Sequence, residues 1–177
     1  MPISENPNSR PHRLMSSASR LKSLVMGVLV VMGEHFTLEL ADEAATLEAG
    51  RQFAKQLAAG TKVYLHGDLG SGKTTFVRGV LQGLGHRGKV KSPTYTLIEP
   101  YEMAGLNVYH FDLYRFVDVY EWDEAGFSEY FNDTSICMVE WPEKAGTLLP
   151  SPNVDVTLSL PSNQQQMVGR KLEIFTR

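Results

Sequence analysis

Apolar and polar positions change period several times along this chain, and each change marks an element. His35-Phe36-Thr37-Leu38-Glu39-Leu40 alternates with period two, the pattern of a half-buried strand. Asp42 can then cap a helix whose apolar face uses Ala45, Ala49, Phe53 and Leu57 and which ends at Gly60. Residues 62–66 read as a buried strand, followed by a glycine-rich turn and an amphipathic helix. After a loop over residues 84–88, residues 94–99 and 106–111 read as two strands of a hairpin that turns at Ala104-Gly105. Residues 118–126 and 127–131 suggest short helical pieces. Residues 136–141 form a continuous apolar strand of the kind a sheet centre requires. Residues 154–160 and 170–175 make a closing strand pair. There is no internal repeat and no interdomain linker, so the order predicts one α/β domain with a mixed sheet and helices on both faces.

The first 32 residues do not share this order. Residues 1–23 are rich in Ser, Pro, Asn and Arg, and residues 24–32 are a short apolar run after basic residues, superficially like a signal peptide. No small-residue cleavage pattern follows, and the run falls short of the roughly 20 residues that span a bilayer. The reading is a disordered or mis-assigned leader over 1–32, with Met26 or Met32 as alternative starts, and a domain over 33–177. At 177 residues and 42% hydrophobic content the chain has enough apolar material for one core. The net charge of −3 is uneven: residues 1–32 carry +3 and the remainder −6, which argues against non-specific nucleic-acid binding by the chain alone. The one cysteine, Cys137, lies in an apolar run and reads as a small buried side chain rather than a reactive thiol. With no disulfide framework or Cys/His zinc site available, the composition suits a reducing cytoplasm.

The turn after residue 66 carries the strongest chemical signal. Gly67-Asp68-Leu69-Gly70-Ser71-Gly72-Lys73-Thr74 fits G-x-x-x-x-G-K-T between a strand and a helix, the context a phosphate-binding loop demands. The glycines let backbone N–H groups point inward, the helix adds its positive N-terminal end, Lys73 reaches the β- and γ-phosphates, and the Thr74 hydroxyl ligates magnesium. The expected ligands are therefore ATP and Mg2+. Such a site also needs a carboxylate near the metal, a group to orient the nucleophile and a γ-phosphate sensor. Glu140, at the end of an apolar strand, can deliver a carboxylate beside Thr74. In residues 110–115, His110, Asp112 and Tyr114 project to one side of an extended chain while Phe111 and Leu113 face the core. Asp112 could hold metal-bound or attacking water; His110 could shuttle a proton or simply hydrogen-bond. Arg115 could neutralise phosphate charge, although pairing with a surface carboxylate is favoured. Ser92-Pro93-Thr94-Tyr95 is either a γ-phosphate sensor or a plain turn ahead of a strand.

Together, the blocks at residues 67–75, 92–97, 110–115 and 139–143 resemble the TsaE family, bacterial P-loop ATPases that support tRNA threonylcarbamoyladenosine (t6A) biosynthesis. The resemblance covers about residues 33–177. It implies a P-loop NTPase-like domain that binds and hydrolyses ATP in a complex with the TsaD and TsaB proteins, where TsaD transfers the threonylcarbamoyl group to adenosine 37 and tRNA contact is mainly indirect. It also implies a cytoplasmic protein with no membrane association. Carried over to this sequence, Thr74 and Glu140 become magnesium ligands, Lys73 the phosphate clamp and Asp112 a catalytic or metal-shell carboxylate. Nucleotide contacts extend over Gly67, Asp68, Leu69, Gly70, Ser71, Gly72, Lys73, Thr74 and Thr75. Thr94 belongs to a switch-like segment, Trp141 lies near the active centre, and Glu43 and Thr46 contribute to the base side of the nucleotide. Two other classes share the loop: a small-molecule kinase, disfavoured because only Arg78, Arg87 and Arg115 fall between residues 74 and 169, and a nucleotide-gated binding module whose hydrolysis is incidental.

Overall fold

Two buried runs fix the centre of the sheet. Strand β2 (Lys62–His66) and strand β5 (Ser135–Glu140) are apolar on both faces and pair in parallel, as strands covered on both sides must. The computed structural model describes residues 33–103, 105–160 and 169–177, so the leader reading for residues 1–32 lies outside the described residues. The remaining strands are β1 (His35–Leu40), β3 (Ile98–Met103), β4 (Leu106–Asp112), β6 (Val154–Ser159) and β7 (Arg170–Thr176). They assemble in the order β1-β7-β6-β2-β5-β4-β3. The four inner strands β6, β2, β5 and β4 run parallel, while β7, β1 and β3 join antiparallel, giving a mixed sheet.

Alternation along β2, β4 and β5 sends successive side chains to opposite faces, and each face has its own core. Val63, Leu65, Val108, Ile136 and Met138 belong to a cluster shared with helix α1 (Glu43–Ala54) and helix α2 (Lys73–Gly83). Tyr64, Phe111, Cys137 and Val139 join Phe116, Trp122 and Phe127 on the other face, beneath the short helix α3 (Val119–Glu124) and a 3-10 turn at Phe127–Tyr130. Helices therefore cover both faces, as the pattern predicted. Helices α1 and α2 touch backbone to backbone: a Cβ built on Gly79 would lie 2.2 Å from the Leu47 carbonyl oxygen, and one on Gly50 would lie 2.4 Å from that of Phe76. This contact seats the start of α1 beside the start of α2.

Several boundaries differ from the sequence reading, three of them beside the site or with a visible backbone cause. Helix α1 stops at Ala54 rather than running to Gly60, because the amides of Lys55, Gln56 and Leu57 bond three residues back and the last turn tightens. The strand expected over 94–99 begins instead at Ile98. Residues 94–96 form a turn closed by the Leu97 amide on the Pro93 carbonyl, and β3 continues through Pro100, which an edge strand tolerates. Strand β5 ends at Glu140, and Trp141 turns out of the sheet with φ 60°. Among the described residues, no helix is long and apolar enough to cross a membrane.

Candidate functional site

Strand β2 ends at His66 and helix α2 begins at Lys73, so residues 67–72 form a loop over the carboxyl ends of the parallel strands. Gly67 has φ 131°, and a Cβ there would lie 2.1 Å from the Leu158 carbonyl oxygen on β6, so only glycine fits where the loop crosses the sheet. Above the loop is a cavity of about 540 Å³. The loop and α2 line it with Leu69, Gly70, Gly72, Lys73, Thr74 and Thr75; α1 contributes Glu43 and Thr46. Ser92 and Thr94 come from the turn before β3, Asp112 from β4, Tyr114 and Arg115 from the loop after it, and Glu140 and Trp141 from the end of β5. Residues scattered over about a hundred positions of sequence are thus brought to one wall. Of the expected site residues, Gly67, Asp68 and Ser71 do not line the cavity; they form the loop beneath it.

Lys73 is buried, and its ammonium donates to the Gly67 carbonyl at 2.6 Å and the Asp68 carbonyl at 2.9 Å. It also lies 4.0 Å from the centre of the Trp141 ring. Burial pushes the ammonium below the ordinary lysine range, while the Glu140 and Asp112 carboxylates act in the opposite direction. The Thr74 hydroxyl donates to Glu140 Oε1 at 2.8 Å. Asp112 is held on three sides. Its Oδ2 accepts from the Ser92 hydroxyl and, at 2.6 Å, from the Thr94 hydroxyl, and its Oδ1 accepts from the Tyr114 amide at 3.1 Å. The Asp112 amide in turn donates to Leu97 O, so the Ser92–Leu97 segment is bound to β4 by backbone as well as side chains. Leu97 and Trp141 are the two non-glycine residues with positive φ among those described; Trp141 lines the cavity, and Leu97 ends the segment bound to Asp112.

The donors present fit a polyphosphate with a hard cation. A Ser71 hydroxyl with no partner is buried in the loop, a lysine ammonium is held on loop carbonyls, and a hydroxyl and a carboxylate meet as the pair that magnesium accepts. Arg115 departs from its favoured surface pairing: its guanidinium lies 4.7 Å from the centre of the Tyr95 ring at the cavity mouth. Glu43 accepts from Arg78 at 3.3 Å, tying α1 to α2 beside the site. Cys137 is buried as expected; its thiol donates to the Tyr130 carbonyl, and burial pushes its pKa up to about 12.

Arg170 was not anticipated. It lines the cavity from the first residue of β7, and its Nε lies 3.4 Å from where a Gly72 Cβ would sit. The sequence separates it from the phosphate-binding loop by about a hundred residues and shows it only as the first residue of a closing strand. Only the folded sheet brings it close, since β7 lies two places from β2.

A family model described as "Threonylcarbamoyl adenosine biosynthesis protein TsaE" matches residues 40–171. Among curated proteins, the tRNA threonylcarbamoyladenosine biosynthesis protein TsaE of Haemophilus influenzae is 48% identical over 130 residues, covering 71% of this chain and 82% of that protein. The protein of the same name from Bacillus subtilis is 36% identical over 137 residues, covering 72% and 85%. Among solved structures, YdiB of Bacillus subtilis superposes with a TM-score of 0.67 at 27% identity, covering 82% of this chain and 88% of that one.

Proposed function

The chain belongs to the TsaE family of tRNA threonylcarbamoyladenosine biosynthesis proteins and has its P-loop NTPase-like fold, and from that premise we propose that it is a magnesium-dependent ATPase which supports t6A formation in a cytoplasmic complex with TsaD and TsaB. The observation that carries this reading is the meeting of Lys73, Thr74, Asp112 and Glu140 on one cavity above a G-x-x-x-x-G-K-T loop, with the Thr74 hydroxyl 2.8 Å from Glu140 Oε1.

Each residue has a role that follows from its chemistry. Lys73 exchanges its two loop carbonyls for phosphate oxygens, whose negative charge offsets the desolvation of a buried ammonium. Backbone N–H groups of residues 68–75 and the N-terminal end of α2 neutralise the remaining phosphate charge. Thr74 and Glu140 hold the metal, which when bound draws charge from the phosphate oxygens. Asp112 orients the attacking water, and Ser92 and Thr94, which share its Oδ2, report the γ-phosphate to the turn at residues 94–96. Trp141 closes one side of the lysine, Glu43 and Thr46 face the base side, and Arg170 offers a cation beside Gly72. Hydrolysis then rests on positioning and charge stabilisation, with little covalent work for the protein.

The test is ADP formation by the purified chain with and without TsaD and TsaB, in magnesium and in EDTA, beside Lys73→Ala. Turnover that requires magnesium, rises with the partners and vanishes in Lys73→Ala is expected; turnover in the variant equal to wild type would remove the phosphate-loop assignment.

A further inference from the structure

Among the described residues, His110 is the one polar side chain bonded to the metal-site carboxylate that does not itself line the cavity. It is fully buried, so it has no access to a nucleotide. Its Nε2 lies 2.9 Å from Glu140 Oε1, the same oxygen that accepts from Thr74. A carboxylate only accepts, so Nε2 carries the proton and donates. The other ring nitrogen, Nδ1, is buried with no hydrogen-bond partner. A histidine that merely filled the core would leave Nδ1 unpaired for no return, since an apolar side chain of similar size would avoid that cost.

The sheet makes the pairing specific. His110 on β4 stands opposite Met138 on β5, and Glu140 stands opposite Asp112. His110 and Glu140 are therefore diagonal neighbours on one face of adjacent parallel strands, the face that carries α2. Both donors on Glu140 converge on Oε1, and neither bond uses Oε2. We propose that His110 is a positioning residue for magnesium: its Nε2–H fixes Glu140 Oε1 beside the Thr74 hydroxyl, so that the carboxylate is held where the metal would meet both ligands. This inference rests on the metal reading of the preceding section and adds a residue to it.

The test uses the full chain and a fluorescent ADP analogue, measuring affinity in EDTA and then the magnesium concentration that half-saturates the metal-dependent gain. His110→Ala is expected to raise that concentration about 10–100-fold, the range for losing an outer-shell hydrogen bond to a metal ligand, while affinity in EDTA changes far less. His110→Gln places an amide N–H as many bonds from Cα as Nε2 and restores most of the loss. His110→Asn carries its amide one bond short and does not. Thermal melts of the same samples identify any variant that fails to fold; if alanine does, the Gln and Asn variants decide between the outcomes. Equal magnesium titrations for wild type and a folded alanine or asparagine variant would overturn the proposal. Binding by the wild type that ignores magnesium would instead remove the metal site itself, a failure distinguishable from the first.

Discussion

Thr74→Val removes a single hydroxyl at nearly constant shape and so isolates the contact between loop and metal-site carboxylate. That hydroxyl donates at 2.8 Å to a carboxylate only 3% exposed. A hydrogen bond to a charged group contributes about 1.5–3 kcal/mol, and the His110 donor remains in place, so the loss falls in that range rather than leaving Glu140 wholly unpaired. For a domain of this size about 1 kcal/mol moves the melting temperature by roughly 3 °C, which puts the expected fall at about 5–9 °C. The second consequence separates the metal from the fold. Where magnesium tightens ADP binding, it adds stability by mass action, about 2.7 kcal/mol at ligand 100-fold above its dissociation constant. Thr74→Val should keep the stabilisation by ADP in EDTA and lose the further increment from magnesium; Thr74→Ser, which retains the hydroxyl, should keep both. Melts of the three proteins with no ligand, ADP, and ADP with magnesium supply the numbers. A magnesium increment in Thr74→Val as large as in wild type would refute the assignment of Thr74 as a metal ligand.

Other perturbations test separate parts of the structure. Gly79→Ala drives a Cβ to 2.2 Å from the Leu47 carbonyl and should cost about 1–3 kcal/mol or more as α1 and α2 are forced apart; an unchanged thermal melt would contradict that contact. Arg170→Ala should weaken binding of the fluorescent ADP analogue about tenfold, the scale of one charge-assisted contact, without lowering the melting temperature appreciably; unaltered affinity would take Arg170 out of the nucleotide site. Cys137, with its pKa pushed up to about 12 by burial, stays a protonated thiol at pH 8 and should resist iodoacetamide in the native protein while reacting in denaturant; mass spectrometry showing rapid native alkylation would contradict its burial.

The parts of the site legible in sequence were those in which one short segment carries its own geometry. The loop at residues 67–74 bears its glycines, lysine and threonine within a single turn between β2 and α2, and the apolar run before Glu140 is long enough to identify a central strand. Residues 94–99 misled because alternating polar and apolar side chains suit a turn as well as a strand. Tyr95, expected in the sheet, is 83% exposed, and the strand starts only at Ile98, with its proline on the outer edge. The role of His110 stayed open between proton shuttle and hydrogen bond, and Arg170 was missed, for another reason. The partners of each lie 30 residues or more away, and no local pattern announces a diagonal contact across β4 and β5 or an arginine at the start of β7 that reaches the Gly72 turn. The backbone contact of Gly50 and Gly79 was hidden likewise, since a glycine inside a helical pattern reads as a weakness until a second helix is brought against it.

The most direct measurement is the t6A content of total tRNA, by mass spectrometry, in cells depleted of this protein and complemented with wild type or Lys73→Ala expressed to equal levels. Loss of t6A that wild type restores and Lys73→Ala does not is the expected result, because it links the pathway to the phosphate loop; t6A restored in full by Lys73→Ala, or unaltered by depletion, would contradict it.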